Sequence, residues 1–144
     1  MIVVDASVLA NAIGDDETDG RVAREVLRAA RDLAAPDLVD VETVSALRKR
    51  WLAGTLTEER FAAAVGDLED LDLDRYPALP LMRRVVELRA NLSAYDATYV
   101  ALAEMLGCEL LTGDGRLAGA PGLGCPIEPP WVSRRPFWLV PILI

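Results

Sequence analysis

Ile2-Val3-Val4 is apolar and β-branched at every position, and it runs straight into a carboxylate, Asp5. A run without polar alternation suits a strand buried on both faces, the kind that lies in the middle of a parallel sheet. This narrows the fold to α/β architectures and puts Asp5 at the strand's C-terminal end. In open α/β sheets that edge is where ligands bind. Asp5 would serve equally well as the N-cap of the next helix, Ser7 to Ile13, because Asp and Ser side chains accept bonds from free helix N–H groups.

The absence of histidine limits the chemistry. It removes Ser-His-Asp and Cys-His catalysis and the zinc sites that need imidazole. Cys108 and Cys125 stand in no metal-ligand spacing, and the strand-like, acidic start differs from a basic, apolar leader. The expected setting is therefore reducing and cytoplasmic. Fifteen basic residues against 23 acidic ones give a net charge of −8, which argues against nucleic acid held on a broad basic surface. Lys49 is the sole lysine; the other basic residues are arginines, the better bidentate phosphate ligands. At 144 residues, 52% of them hydrophobic, the chain is expected to fold as one domain without disulfide or metal.

Along the chain, apolar periods and turn signals alternate. Gly14 to Gly20 is acidic and reads as an exposed loop. Val22, Val26, Ala30 and Leu33 predict an amphipathic helix over about 21–33, whose arginines Arg21, Arg24, Arg28 and Arg31 read as a solvated face. A second parallel strand is expected at Ala34-Ala35-Pro36. Asp37 is a candidate N-cap for a helix with Leu38, Val41, Val44, Leu47 and Trp51 on its apolar face and Glu42 off that stripe. Thr55 with Glu58 fits a capping box for a helix over about 57–71. The alternation of Asp70 to Asp74 predicts a half-buried edge strand. Pro77 and Pro80 break that pattern, and Leu81, Val85, Leu88 and Leu92 predict the next helix. Ser93 and Asp96 form a second capping box before Tyr99, Leu102, Ala103 and Leu106. At a helix N-terminus Asp96 is favoured in its ionised form. Gly107 closes that helix, and Cys108 to Thr112 reads as another buried strand, with Asp114 just past its end as Asp5 is past the first.

Strands alternating with helices imply a mostly parallel central sheet, of about four to five strands, flanked by helices on both faces. All strand ends then share one edge. Asp5 and Asp114 lie on it by position, and Glu42 and Asp96 lie in the first turns of helices that begin near it. Gathered carboxylates repel one another, and a divalent cation resolves the repulsion. All-oxygen donors suit Mg²⁺, or Mn²⁺, rather than zinc. Such an ion can activate water against a phosphodiester. Ser7 and Thr112, each two residues from one of these acids, can orient a carboxylate or water, and serve equally well in capping or turn bonds.

The set Val4-Asp5-Ala6-Ser7, then Pro36-Asp37-Leu38 with Glu42, then Tyr95-Asp96-Ala97 leading into Tyr99 to Ala103, then Leu111-Thr112-Gly113-Asp114 resembles the PIN-domain ribonucleases. Within them it is most similar to the VapC-type toxins of bacterial toxin–antitoxin modules. The match covers roughly residues 1–117. The resemblance implies a parallel sheet between helices, with Asp5, Glu42, Asp96 and Asp114 holding Mg²⁺ and the attacking water, and Thr112 in support. It also implies a homodimer and a cognate antitoxin covering the acidic cleft. A partner's arginine suits that cleft, because it would pair with the carboxylates. RNA contacts are assigned to Arg48, Arg50, Arg116 and Ser7.

The division expected is a nuclease domain over residues 1–128 and an apolar, proline-rich tail over 129–144. The tail departs from the family pattern, is too interrupted by proline and arginine to span a membrane, and is expected to be dispensable for cleavage. Two other readings compete. A doubly wound phosphatase or phosphoacceptor domain would want a second Asp where Ser7 stands, or a lysine after a late strand, whereas Lys49 is early. A non-catalytic PIN-like module binding RNA or a partner would have no use for the four acids.

Overall fold

The computed structural model describes residues 1–129; the tail beyond Pro129 therefore lies outside the described residues. Five parallel strands form one sheet in the order β3-β2-β1-β4-β5, with β1 Ile2–Val4, β2 Leu33–Pro36, β3 Asp74–Tyr76, β4 Glu109–Leu111 and β5 Ile127–Glu128. Seven helices connect them: α1 Ala6–Gly14, α2 Thr18–Ala29, α3 Val39–Leu52, α4 Glu58–Glu69, α5 Met82–Leu88, α6 Ala94–Leu106 and the short α7 Gly115–Ala118. Before α5, Leu79–Leu81 forms a 3-10 turn.

The apolar start behaves as its composition requires. β1 is the central strand, with Ile2 beside Leu33 of β2 on one side and Glu109 of β4 on the other, and Val3 and Val4 are fully buried. The chain builds outward from β1 through β2 to β3, then returns to the other flank for β4 and β5. The reversal of direction falls between β1 and β4, and ligand crevices of open α/β sheets form at the C-terminal ends of such strand pairs. α6 lies against β1, β2 and β4, with α5 packed on it, while α1 packs on α2, α3 and α4. Among the described residues no helix is long and apolar enough to cross a membrane, and Cys108 and Cys125 are free thiols.

Several local expectations need correction. Helix α2 starts at Thr18 and ends at Ala29, and Leu33 belongs to β2. The acidic stretch ahead of α2 is a built corner: Asp15 accepts from the backbone N–H groups of Glu17 at 2.7 Å and Gly20 at 3.3 Å. A Cβ at Gly20 would stand 1.7 Å from the Asp15 carbonyl oxygen, so glycine is required there. Asp37 does not cap α3; Leu38 holds the N-cap position, and the Asp37 carboxylate accepts from Ala78 N on the β3 side at 3.2 Å. Thr57 rather than Thr55 caps α4, accepting from Arg60 N at 3.2 Å. Of the alternating acidic stretch only Asp74 enters a strand, because Arg75 turns back onto the carbonyls of Leu68 and Leu73 and onto Asp40.

The inward face of α3 also differs from the sequence stripe. Val39, Thr43 and Leu47 are buried, whereas Val41 is 74% exposed and Trp51 43%. Rotating the helix in this way turns Glu42 toward α6.

Candidate active site: carboxylates at the crossover edge

Asp5 ends β1 and caps α1, so the capping and ligand-edge readings both describe its position. Its Oδ1 accepts from Val8 N at 3.1 Å and from Ser7 Oγ at 2.6 Å. Its Oδ2 accepts from the Thr112 hydroxyl at the end of β4. The Ser7 hydroxyl in turn accepts from Gly113 N at 3.0 Å, and Thr112 Oγ1 accepts from Asp114 N at 3.0 Å. These bonds stitch the ends of the two strands at the reversal point. A Cβ at Gly113 would come within 2.9 Å of Ser7 Oγ, which explains a glycine in this seam. Burial raises the Asp5 carboxyl above the usual carboxylate range despite the Ser7, Thr112 and backbone bonds that favour its ionised form.

Glu42 reaches the same edge from the first turn of α3. It is half-buried and accepts from the Tyr99 hydroxyl of α6 at 2.9 Å. Its proton affinity is raised by burial first, and further by the negative charges of Asp5 and Asp96; the Tyr99 bond opposes the rise. Tyr99 in turn is held strongly protonated by its own burial and by the Glu42 charge. Asp96 sits in the first turn of α6 within the capping box expected of it: Ser93 Oγ accepts from Asp96 N at 3.1 Å and donates to Asp96 Oδ2 at 3.0 Å.

Asp114 is engaged differently. It caps α7 and accepts from Arg116 N at 2.9 Å, Nε at 3.0 Å and Nη2 at 2.7 Å, and the guanidinium holds its carboxyl below the ordinary range. Asp96 and Asp114 line one cleft of about 410 Å³, together with Ser93 and Arg116. Ser7 and Glu42 line a second groove of about 420 Å³. Neighbouring residues Tyr95 and Asp96 face the two, so the grooves adjoin. Among the described residues no three acidic or thiol side chains stand close enough to hold one ion together.

The arginines assigned to RNA contact separate into three situations. Arg48 is exposed. Arg50 reaches back to α1, donating to Ala10 O at 3.0 Å and to Asn11 Oδ1. Arg116 is 90% exposed and lies on Asp114. Two residues escaped the sequence reading. Tyr99 was legible only as core, because its bond to Glu42 joins positions 57 apart. Lys49 lines the groove with Glu42, and its spacing of seven from Glu42, two helical turns, was the available signal.

Acidic side chains placed where a five-stranded parallel sheet reverses its winding mark the class of protein: an α/β domain with a carboxyl-lined crossover edge. A family model, the PIN domain, matches residues 2–123, and the chain belongs to the PIN-domain family, in its VapC-type branch. Ribonuclease VapC9 of Mycobacterium tuberculosis is 44% identical over 127 residues, which span 88% of this chain and 96% of that relative. Among solved structures, Mycobacterium tuberculosis VapC20, described as a sarcin-ricin loop cleaving toxin, superposes with a TM-score of 0.64 at 19% identity, over 83% of this chain and 96% of that one. A toxin–antitoxin complex from Klebsiella pneumoniae contains a chain with a TM-score of 0.62 at 21% identity, over 90% of this chain and 98% of its own. At those identities the two structures bear on the fold alone.

Proposed function

We propose that this protein is a divalent-metal-dependent endoribonuclease acting as the toxin of a toxin–antitoxin module. The observation that carries the reading is Asp5, a buried carboxylate at the reversal point of a PIN sheet, with the charges of Asp5 and Asp96 acting on Glu42. Support comes from the 44% identical relative that is named a ribonuclease; the fold is shared with a chain of a toxin–antitoxin complex.

The donor chemistry fits Mg²⁺ or Mn²⁺: Asp5, Glu42, Asp96 and Asp114 offer only carboxylate oxygen. Drawn closer together than they stand in the described structure, those four residues would hold the ion, which when bound would supply an activated water and a counter-charge for the scissile phosphate. The chain's own contribution is orientation. Ser7 and Thr112 fix both oxygens of Asp5, and Tyr99 fixes Glu42. Asp114 contributes once Arg116 swings away, and Arg116, released, is placed to meet a phosphate of the substrate. An antitoxin would cover this acidic cleft. A homodimer belongs to the same reading. Residues 1–128 carry the nuclease, and the tail from Pro129 is assigned no catalytic part.

The test is to incubate antitoxin-free protein and its Asp5→Asn variant with total bacterial RNA, in Mg²⁺, in Mn²⁺ and in excess chelator, and to sequence the new 5′ ends. Discrete cuts that need both metal and Asp5 are expected. A folded wild type that cuts no RNA would favour the non-catalytic binding module, a reading in keeping with the spacing of the acids.

A further inference from the structure

The groove beside Glu42 has a composition that the carboxylate chemistry does not use. Glu42, Ser45 and Lys49 follow one another along α3 at helical spacing and line it from one side. Tyr95, at the start of α6, lines it too, as does Val41. Tyr95 is 63% exposed and Val41 74%, two large apolar side chains left to solvent beside the half-buried Glu42. Exposed apolar side chains scattered singly need no explanation, but two that share a groove with a cation do. Lys49 takes part in none of the ion pairs formed among the described residues.

We propose that this groove is a nucleotide subsite, in which the Tyr95 ring stacks on an unpaired base and Lys49 meets the adjoining phosphate of a single-stranded RNA whose backbone crosses the carboxylates. The proposal rests on the ribonuclease reading and adds to it the strand that is gripped and the side on which it is gripped. Stacking on an exposed aromatic is sequence-tolerant and suits unpaired nucleic acid, whose bases are free to leave their neighbours. A lone cation on an acidic protein acts locally, at one phosphate. Ser7 and Ser45 hydroxyls in the same groove provide donors and acceptors that suit ribose and phosphate oxygens. An apolar partner helix would find only Val41, Tyr95 and small alanines here, interrupted by Glu42 and Lys49.

The experiment uses the full chain carrying Asp5→Asn, so that binding is read without cleavage. Its affinity is measured by fluorescence anisotropy for a short labelled single-stranded RNA of random sequence and for an abasic ribose-phosphate chain of equal length. Adding Tyr95→Ala is expected to weaken RNA binding about tenfold and to leave the abasic chain unaffected, with Tyr95→Phe restoring the parent affinity. Adding Lys49→Ala is expected to weaken both, and to make the salt dependence shallower by about 0.7 in the log–log slope. Equal losses on both chains with Tyr95→Ala, or none on either, would overturn the subsite. So would a Tyr95→Ala protein that binds RNA normally but loses self-association or antitoxin binding, which would assign the groove to a protein partner. Cleavage of total RNA by wild type is read separately. Its absence counts against the ribonuclease reading, whereas a silent Tyr95 in a protein that does cut RNA counts against the subsite alone.

Discussion

Tyr99 of α6 donates its hydroxyl to Glu42 of α3 at 2.9 Å, a hydrogen bond that joins two helices and holds the Glu42 carboxylate in place. Glu42 is drawn toward its protonated form by burial and by the charges of Asp5 and Asp96, and the Tyr99 bond works against that drift.

Replacing Tyr99 with Phe removes the bond and leaves the opposing influences in place. The Glu42 carboxyl then rises further, so the acid limb of the kcat/KM profile moves to higher pH. Folding stability falls by about 1 kcal/mol, as for one lost internal hydrogen bond. Rate measurements across the acid range, together with urea unfolding, check both; an unmoved acid limb would mean that Glu42 does not titrate in the reaction.

On the ribonuclease proposal, Asp5→Asn is expected to abolish cleavage and to improve stability near neutral pH. Because burial raises the native Asp5 carboxyl above its unfolded value, its contribution to stability is full below the unfolded pKa and is lost as pH rises through the native one. Asparagine carries no such loss. The thermal midpoint of the variant relative to wild type should therefore increase from acidic to neutral pH, and a difference that shrinks over that range would contradict the sign.

Arg116→Ala separates a surface pair from a metal competitor. The Arg116 guanidinium is 90% exposed, so its pairing with Asp114 is screened by water and adds little to folding. Its removal returns the Asp114 carboxyl toward the ordinary range and frees Oδ2, while the backbone N–H of residue 116 stays on Oδ1. Binding of Mn²⁺ to the RNA-free protein, followed by electron paramagnetic resonance, is expected to tighten severalfold. Unchanged affinity would exclude Asp114 from the ligands or show that Arg116 does not compete.

Thr43 is fully buried on α3, and its hydroxyl has no hydrogen-bond partner among the described residues. A buried donor left unmade is costly, so Thr43→Val, of nearly the same shape, is expected to stabilise the protein by about 1 kcal/mol. Urea unfolding of the variant measures this directly; a loss of stability would show that the hydroxyl is bonded in solution.

Local sequence was most informative where the neighbours that matter are adjacent in the chain. The Ser93–Asp96 box is seen in its expected form, and Gly107 closes α6 with a positive φ of 64°, a conformation that favours glycine. Capping was misassigned at Asp37 and Thr55, where several polar residues compete within one turn and only the path of the neighbouring strand chooses among them. The face of α3 was misread for a related reason: Val41 and Val39 are equally apolar, but only Val39 meets the core.

By itself the sequence determined a central apolar strand, the alternation of strands with helices and the placing of Asp5 at a strand end, because these depend on residue type and short-range period. The tertiary structure decided which strands flank β1, which side of α3 turns inward, and hence that Tyr99 meets Glu42, Thr112 meets Asp5 and Lys49 shares a groove with Tyr95. Those pairings join positions tens of residues apart, and a periodic pattern carries no record of which distant side chain the packing of helices against a sheet will bring to its edge.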